Sequence, residues 1–110
     1  MTGFIVYKNK KIIAIKRKSL LSKAIGVMFK FKVSKANIFY FDKPQKVPLH
    51  MLFVFTSIDV FGLNEKDEVI EIKKNFKPFT FYTFKKDVSK IIEIGRNQIN
   101  PKIKDKIKII

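Results

Sequence analysis

The chain has 110 residues, of which 46% are hydrophobic and 14% aromatic, which is enough apolar material for one continuous core and too much for an intrinsically disordered chain. It contains no cysteine and one histidine, which excludes disulfide frameworks and thiolate sites and predicts no metal site and no cofactor. The formal net charge is +15, and the first 41 residues hold ten basic and no acidic side chains. We expect a single domain over residues 1–110.

The amino-terminal third predicts a hairpin followed by a helix. Two β-branched and aromatic runs, 4–7 and 12–15, flank a polar turn at 8–11. A short α-helix is expected near residues 19–26, where Ser19 can cap the start and Gly26 can end it. Alternating residues then predict a strand over 27–33.

The rest of the chain predicts short strands alone. The run 49–61 is too long and too apolar on both faces for one ordinary strand, so we expect a bend near 56–57. Its second half is expected to form a hairpin across the loop 64–68, with Glu71 facing solvent between Ile70 and Ile72. The expected strands of this part are 38–41, 69–73, 79–84, 91–94 and 106–110. The sequence therefore predicts a mainly β, compact barrel-like or sandwich domain of about seven to eight short strands.

Asp59 is the single carboxylate in the apolar run 49–62. Burying an ionised group without partners costs several kcal/mol or more, so hydrogen-bond donors or chemistry must accompany it. We expect a structural acceptor for backbone N–H groups at the hairpin, or a partner for a lysine. A carboxylate pair with Glu93 is the alternative, but Glu93 alternates with two isoleucines and is expected to face solvent.

No catalytic residue is predicted. His50, Ser57 and Asp59 have the side-chain types of a hydrolytic triad, but on an extended strand His50 lies on the face opposite the other two. The four glycines are scattered, which excludes a glycine-rich phosphate loop.

The best binding candidate is the segment 73–86, where aromatic and basic side chains are interleaved. This combination binds single-stranded nucleic acid, because bases stack on rings and phosphates pair with cations. The candidate binding residues are Lys73, Lys74, Lys77, Phe79, Phe81, Tyr82, Lys85 and Lys86. The simpler interpretation is that half of the rings, either Phe79 with Phe81 or Tyr82 with Phe84, belong to the core.

The order of several short motifs resembles the DUF192 family, a small domain of unknown function. Ile58-Asp59 stands at the family's spacing from Met51, and Val69-Ile70-Glu71-Ile72 follows where the family has a valine-rich strand. Further similarities lie at Gly26, Met28, Ile38 to Phe41, Glu93, Gly95 and Asp105. The sequence departs from the family pattern at His50, Phe53, Ser57, Asp67 and Lys104. The resemblance implies a compact, mainly β, barrel-like domain with a short helix, in which the matching residues are structural, and it implies no settled activity.

Three function classes stay open. The first is a non-enzymatic binding module for single-stranded nucleic acid or another polyanion, since a one-signed positive field attracts polyanions; composition bias toward lysine is the competing explanation of that charge. The second is a structural or protein-interaction domain that uses a sheet edge or an aromatic patch. The third is an enzyme around Asp59, which requires an open cleft that reaches the carboxylate.

The sequence also predicts a cytoplasmic location without a membrane span. Residues 1–7 place apolar side chains before the first charge, which is the reverse of a signal peptide. The uncharged run 47–58 is shorter than the roughly 20 residues of a spanning helix.

Overall fold

The computed structural model describes residues 2–17, 35–50 and 57–110, and these form a mainly β fold, as predicted. Nine strands lie within the described residues: β1 Thr2–Tyr7, β2 Lys10–Arg17, β3 Ala36–Gln45, β4 Pro48–His50, β5 Ile58–Leu63, β6 Val69–Phe76, β7 Phe81–Thr83, β8 Val88–Gly95 and β9 Lys108–Ile109. The predicted helix near 19–26 and the predicted strand 27–33 lie outside the described residues. Within the described ranges, no helix is long and apolar enough to cross a membrane.

Seven of these strands form one curled sheet that resembles half of a barrel. Its order is β6-β5-β8-β3-β2-β1-β9, and β4 pairs with β7 in a separate two-stranded sheet. Neighbouring strands are antiparallel except β2 and β3, which run parallel with Ala14 opposite Ala36. Strand β8 therefore lies inside the sheet, between β5 and β3.

Both predicted hairpins are present. Strands β1 and β2 pair across a turn at Lys8, whose φ of 54° is left-handed, and Tyr7 lies opposite Lys10. Strands β5 and β6 pair across the loop 64–68, where the Asn64 side-chain oxygen accepts the backbone N–H groups of Lys66 and Glu68. An asparagine that bonds the backbone ahead of it is a standard way to close such a loop.

The described ends of the long apolar run lie in two strands of different sheets, and most of the predicted bend near 56–57 lies outside the described residues. Strand β4 ends at His50 in the small sheet, and β5 begins at Ile58 in the large one. Strand β5 is buried along its whole length, because β6 and β8 flank it and apolar side chains cover both of its faces.

Two clusters of buried side chains form the core, one on each side of the large sheet. The first contains Ile5, Ile38, Phe61, Leu63, Ile92 and Ile94. The second contains Phe39, Val60, Ile91, Val47 and Phe84, and the last two flank the small sheet. Because the central strands are covered on both sides, alternation along them does not produce a solvent face.

The expectation that Glu71 and Glu93 face solvent is wrong. Both carboxylates are buried, although each alternates with isoleucine as an exposed residue would. Glu93 lies on β8, inside the sheet, opposite Val60 of β5 and Asn37 of β3, and only 6% of it is exposed. Glu71 is covered by the segment 82–86, which donates hydrogen bonds to it.

Candidate functional site

Asp59 sits beneath a bulge between β5 and β6. Ile58 pairs with Phe76 and Val60 pairs with Lys73, so two residues of β6 lie opposite Asp59 alone. The extra residue is Asn75, whose φ of 53° turns its N–H toward the carboxylate. Asparagine is among the side chains that best tolerate this backbone conformation.

Every oxygen of the Asp59 carboxylate has a donor. The backbone N–H of Asn75 donates to Oδ1 at 2.9 Å, and the backbone N–H of Asn97 donates to Oδ2 at 2.8 Å. The Lys74 ammonium donates to Oδ2 at 2.7 Å. Asp59 is fully buried, and no open cleft among the described residues reaches it. The geometry is that of a structural tie joining β5, the bulge of β6 and the turn after β8.

Lys74, which the sequence analysis assigned to a binding surface, takes part in this junction. Its ammonium also donates to Asn100 Oδ1 at 2.7 Å and to Asn97 Oδ1 at 3.2 Å. An ammonium has three donors, and these hydrogen bonds use all of them. All three donors of the Lys74 ammonium therefore bond within this junction.

Glu71 holds the segment 82–86 against β6. Its carboxylate accepts hydrogen bonds from the Tyr82 hydroxyl and from the backbone N–H groups of Lys85 and Lys86, the last two at 2.9 Å. Burial acts to raise the pKa of Glu71, but these donors outweigh burial and hold it below its ordinary value. Burial and the Glu71 carboxylate raise the pKa of Tyr82 to about 12.

The aromatic residues of the segment divide between core and surface. Phe84 is buried and Tyr82 half-buried, and their rings meet edge to face at 5.4 Å between centroids. Phe79 is 58% exposed and Phe81 is 69% exposed. We call the exposed part the basic–aromatic surface and define it by Lys73, Lys77, Phe79, Phe81, Lys85 and Lys86. The Lys73 ammonium lies 5.4 Å from the centre of the Tyr82 ring, which joins β6 to this surface.

A separate group of basic side chains surrounds the β1–β2 turn. Lys8, Lys10 and Asn100 line a shallow pocket of about 300 Å³ whose floor includes Tyr7 and Ile99. The Lys10 ammonium donates to the backbone carbonyl of Gln98 at 2.6 Å. Lys74 donates to Asn100 of the same loop, so cations from β2 and β6 both bond the turn at 97–100.

Glu93 forms a polar cluster inside the sheet with Asn37 and Arg17. Glu93 is 6% exposed and Asn37 is 1% exposed, and Arg17 Nε donates to Asn37 Oδ1 at 2.9 Å. Within the described residues, Glu93 Oε1 and Asn37 Nδ2 have no hydrogen-bond partner. Burial raises the pKa of Glu93 to about 8, against the opposing charge of Arg17, so this carboxyl is mainly protonated at neutral pH.

The other residues shared with the family pattern hold the turns together or fall outside the described residues. Asp105 accepts the Tyr7 hydroxyl at 2.5 Å and the Lys102 N–H at 2.9 Å, and these two bonds lower its pKa. Gly95 is buried opposite Ile58. Gly26, Met28 and Met51 lie outside the described residues.

Sequence reasoning missed Glu71 as an anchor, and it missed Asn97 and Asn100 as partners of Lys74. The sequence does indicate a turn near Asn97. Gly95 and Asn97 are residue types that favour turns, and they follow the predicted strand 91–94. Nothing in the sequence pairs Glu71 with residues 11 to 15 positions away.

A family model for DUF192, described as uncharacterized ACR, matches residues 6–109. The chain belongs to the DUF192 family. Two solved structures share its fold. A protein of unknown function from Novosphingobium aromaticivorans DSM 12444 superposes with a TM-score of 0.80 at 16% identity, over 97% of this chain and 83% of that one. A proposed transcription regulator from Sinorhizobium meliloti 1021 superposes with a TM-score of 0.85 at 11% identity, over 98% of this chain and 92% of that one.

The family match confirms the resemblance that the motifs around Asp59 indicated. At 11% and 16% identity, the two superpositions show that this DUF192 chain shares the fold of both proteins, and nothing beyond the fold. No curated protein matches the sequence.

Proposed function

We propose that this DUF192 chain is a non-enzymatic binding module that takes single-stranded nucleic acid on the basic–aromatic surface. The observation that carries the proposal is the pair of exposed rings, Phe79 and Phe81, in a segment with exposed Lys77, Lys85 and Lys86. Stacking each base on such a ring contributes about 1 to 3 kcal/mol without sequence preference. A cytoplasmic location and a single domain over residues 1–110 are part of the same proposal.

The backbone beneath this surface is held in place before any ligand arrives. Glu71 fixes the N–H groups of Lys85 and Lys86, and the Thr80 hydroxyl bonds the carbonyl of Lys77 at 2.5 Å. Phe79 has a φ of 61°, an uncommon conformation for a bulky aromatic residue. A turn that keeps an apolar ring at the surface at this conformational cost supports a binding role.

The charge of the chain supports the same class of ligand. A net charge of +15 gives a field that accelerates association with polyanions and that salt screens. A module that uses stacking and phosphate pairing together has two separable contributions. Stacking on the rings contributes affinity that changes little with salt concentration. Pairing of the lysines with phosphates contributes affinity that falls as the salt concentration rises.

The test is fluorescence anisotropy with labelled oligothymidylate and oligouridylate over a series of salt concentrations. We expect Phe79→Ala with Phe81→Ala to weaken binding about ten-fold or more while leaving the salt slope unchanged. We expect Lys85→Ala with Lys86→Ala to reduce that slope by about 0.7 for each phosphate that the variant no longer neutralises. Ile13→Ala and Lys43→Ala are the matched controls, because both residues are exposed and lie outside this surface.

Three results would overturn the proposal. The first is binding that does not depend on salt, which favours the alternative of a protein-interaction domain. The second is an equal loss of affinity in Ile13→Ala and in the double phenylalanine variant. The third is unchanged binding in both the phenylalanine and the lysine variants, which would leave net charge alone as the cause.

A further inference from the structure

One face of the large sheet is partly exposed where β1, β2 and β9 lie side by side. Ile5 of β1, Ala14 of β2 and Ile109 of β9 pack in or against the first core cluster. Because side chains alternate along a strand, the residues between them lie on the opposite face. We call it the aliphatic face and define it by Thr2, Phe4, Val6, Lys11, Ile13, Ile15, Lys108 and Ile110.

The strand register aligns apolar side chains in a row across this face. Phe4 pairs with Ile13 of β2 on one side. On its other side Phe4 exchanges two backbone hydrogen bonds with Ile110, at 2.9 and 3.1 Å. Ile13 is 44% exposed and Ile110 is 52% exposed, although isoleucine is among the residues most often buried. Single exposed apolar residues are ordinary, but neighbours on adjacent strands form a patch.

A second row, next to the first, carries positive charge. Val6 pairs with Lys11 on β2 and with Lys108 on β9, and both lysines are exposed. The Lys11 ammonium lies 4.4 Å from the centre of the Phe4 ring, so its charge is in contact with the apolar row. The aliphatic face therefore places cations directly beside exposed hydrocarbon.

The sequence of this end of the sheet has one sign of charge. Residues 2–17 contain five basic side chains, residues 106–110 contain two, and neither range contains an acidic one. Asp105, which precedes the second range, accepts a hydrogen bond from the hydroxyl of Tyr7, a residue of the first core cluster on the other face. The aliphatic face is thus complementary to a partner that presents negative charge next to apolar groups.

Size and charge favour a lipid surface as that partner. A second copy of this chain would bring another net charge of +15 to the face. Nucleic acid gains little here, because bases stack on rings and most of the apolar side chains are aliphatic. A stable protein complex takes about 20 to 30 residues from each partner, many more than this face contains. A bilayer needs fewer, because each lysine near an anionic leaflet and each apolar side chain in the interface adds affinity.

We propose that the aliphatic face binds the surface of an anionic phospholipid bilayer. Lys11 and Lys108 pair with headgroup phosphates. Phe4, Ile13 and Ile110 enter the boundary between headgroups and acyl chains. The chain then lies on the membrane by one end of its sheet, which requires no spanning helix. This inference does not depend on the nucleic-acid proposal, because the basic–aromatic surface belongs to other strands.

The test is flotation of the full chain with vesicles of phosphatidylcholine, alone or mixed with an equal part of phosphatidylglycerol. We expect partition onto the mixed vesicles, which weakens as salt rises. Ile13→Ser and Ile110→Ser keep the charge and should each weaken this partition about three-fold or more. Ile103→Ser is the matched control, because Ile103 is 47% exposed and lies outside the aliphatic face, and it should leave partition unchanged.

A charge-matched pair of variants separates the aliphatic face from net charge. Lys11→Gln with Lys108→Gln should weaken partition about ten-fold or more. Lys85→Gln with Lys86→Gln removes the same charge from the basic–aromatic surface and should have a much smaller effect. Equal losses in the two double variants would assign the binding to net charge alone and overturn the proposal. Urea denaturation checks that every variant keeps its stability.

Phe4→Trp reports insertion directly, because the chain contains no tryptophan. Its emission should shift to shorter wavelength on the mixed vesicles and should be quenched by brominated acyl chains. Phe81→Trp places the same reporter on the basic–aromatic surface and should show neither change. Undetectable partition, equal quenching of both reporters, or an Ile103→Ser loss equal to that of Ile13→Ser contradicts the proposal. Weaker oligothymidylate binding in Ile13→Ser, with partition unchanged, would instead assign the face to nucleic acid.

Discussion

The Lys74 ammonium meets the Asp59 carboxylate at 2.7 Å beneath the bulge of β6, where one charge is fully buried and the other partly exposed. The pair is one part of a junction, since the backbone N–H groups of Asn75 and Asn97 bind the same carboxylate. Three segments that are distant in sequence therefore depend on one side chain. The acid that looks most reactive in the sequence is therefore fully buried, with a hydrogen-bond donor at each oxygen.

Removing the Asp59 carboxylate should destabilise the fold. Asp59→Ala leaves two backbone N–H groups and the Lys74 ammonium without their acceptor, so we expect the free energy of unfolding to fall by roughly 1 to 3 kcal/mol. Urea denaturation measures this change. Lys77→Met is the matched control, because Lys77 is exposed and its substitution should stay within about 0.5 kcal/mol. Equal stability of Asp59→Ala and the unsubstituted chain would mean that the junction is not structural.

Removing the Glu71 carboxylate should release the segment 82–86. In Glu71→Ala the N–H groups of Lys85 and Lys86 lose their acceptor, so their amide hydrogens should exchange faster with solvent. Hydrogen exchange followed by NMR reports these two amides individually. Tyr82→Phe removes the third donor and leaves the two backbone bonds, so in that variant both amides should keep their protection. Faster exchange in both variants alike would assign the ordering to the Tyr82 hydroxyl.

Glu93 should make stability depend on pH in the direction opposite to that of an ordinary carboxylate. Its pKa is about 8 in the folded chain and near 4.5 when unfolded, so between these values the folded chain binds more protons. The free energy of unfolding should therefore fall as the pH rises through this interval, by roughly 3 to 5 kcal/mol. Denaturation at several pH values measures the slope.

Glu93→Gln should abolish that slope, because glutamine resembles the protonated acid and does not titrate. Glu65→Gln removes an exposed carboxylate and should leave the slope unchanged. If stability rises with pH between 4.5 and 8 in the unsubstituted chain, Glu93 is ionised inside the sheet and its assignment as a neutral acid is wrong.

Gly62 should not accept a methyl group. A Cβ at this position would lie 2.6 Å from Val88 Cγ1 and 3.1 Å from Phe84 Cε1, and both neighbours are buried. Gly62→Ala should therefore lower the melting temperature, with a loss of about 1 to 3 kcal/mol from overpacking. Adding Val88→Ala removes the closest atom and should recover part of that loss, which a double-mutant cycle measures. Strictly additive losses would locate the strain elsewhere.

Local patterns predicted the hairpins correctly, because each one is specified by residues close together in sequence. The turn at Lys8 and the loop opened by Asn64 carry their own signals of turn chemistry. The motif around Asp59 also indicated the family, and the expected donors, a lysine and backbone N–H groups, do contact Asp59. In contrast, the partners of that tie include Asn97, which is 38 residues away, and no pattern within one strand can indicate such a pair.

The mistakes at Glu71 and Glu93 have different physical origins. Alternation predicts a solvent face only for a strand with one uncovered side, and β8, which carries Glu93, has none. Glu71 lies on the edge strand β6 and is covered by the segment 82–86. The position of β8 inside the sheet could not be predicted from the sequence, since β8 pairs with β3 and β5, which precede it by dozens of residues. The basic–aromatic surface was located in advance as a segment, but which rings are exposed depends on the register between β4 and β7.

Strand β8 also determines when the chain can fold during its synthesis. It supplies the backbone hydrogen-bond partner for one edge of β3 and one edge of β5. Because β8 spans Val88–Gly95, it leaves the ribosome after both of those strands. Until then the nascent chain carries two unfinished sheet fragments, β1 to β3 and β5 with β6, each with an open edge. Such edges pair readily with other chains, so the interval before β8 emerges is the period in which this protein is most exposed to aggregation and most in need of a chaperone.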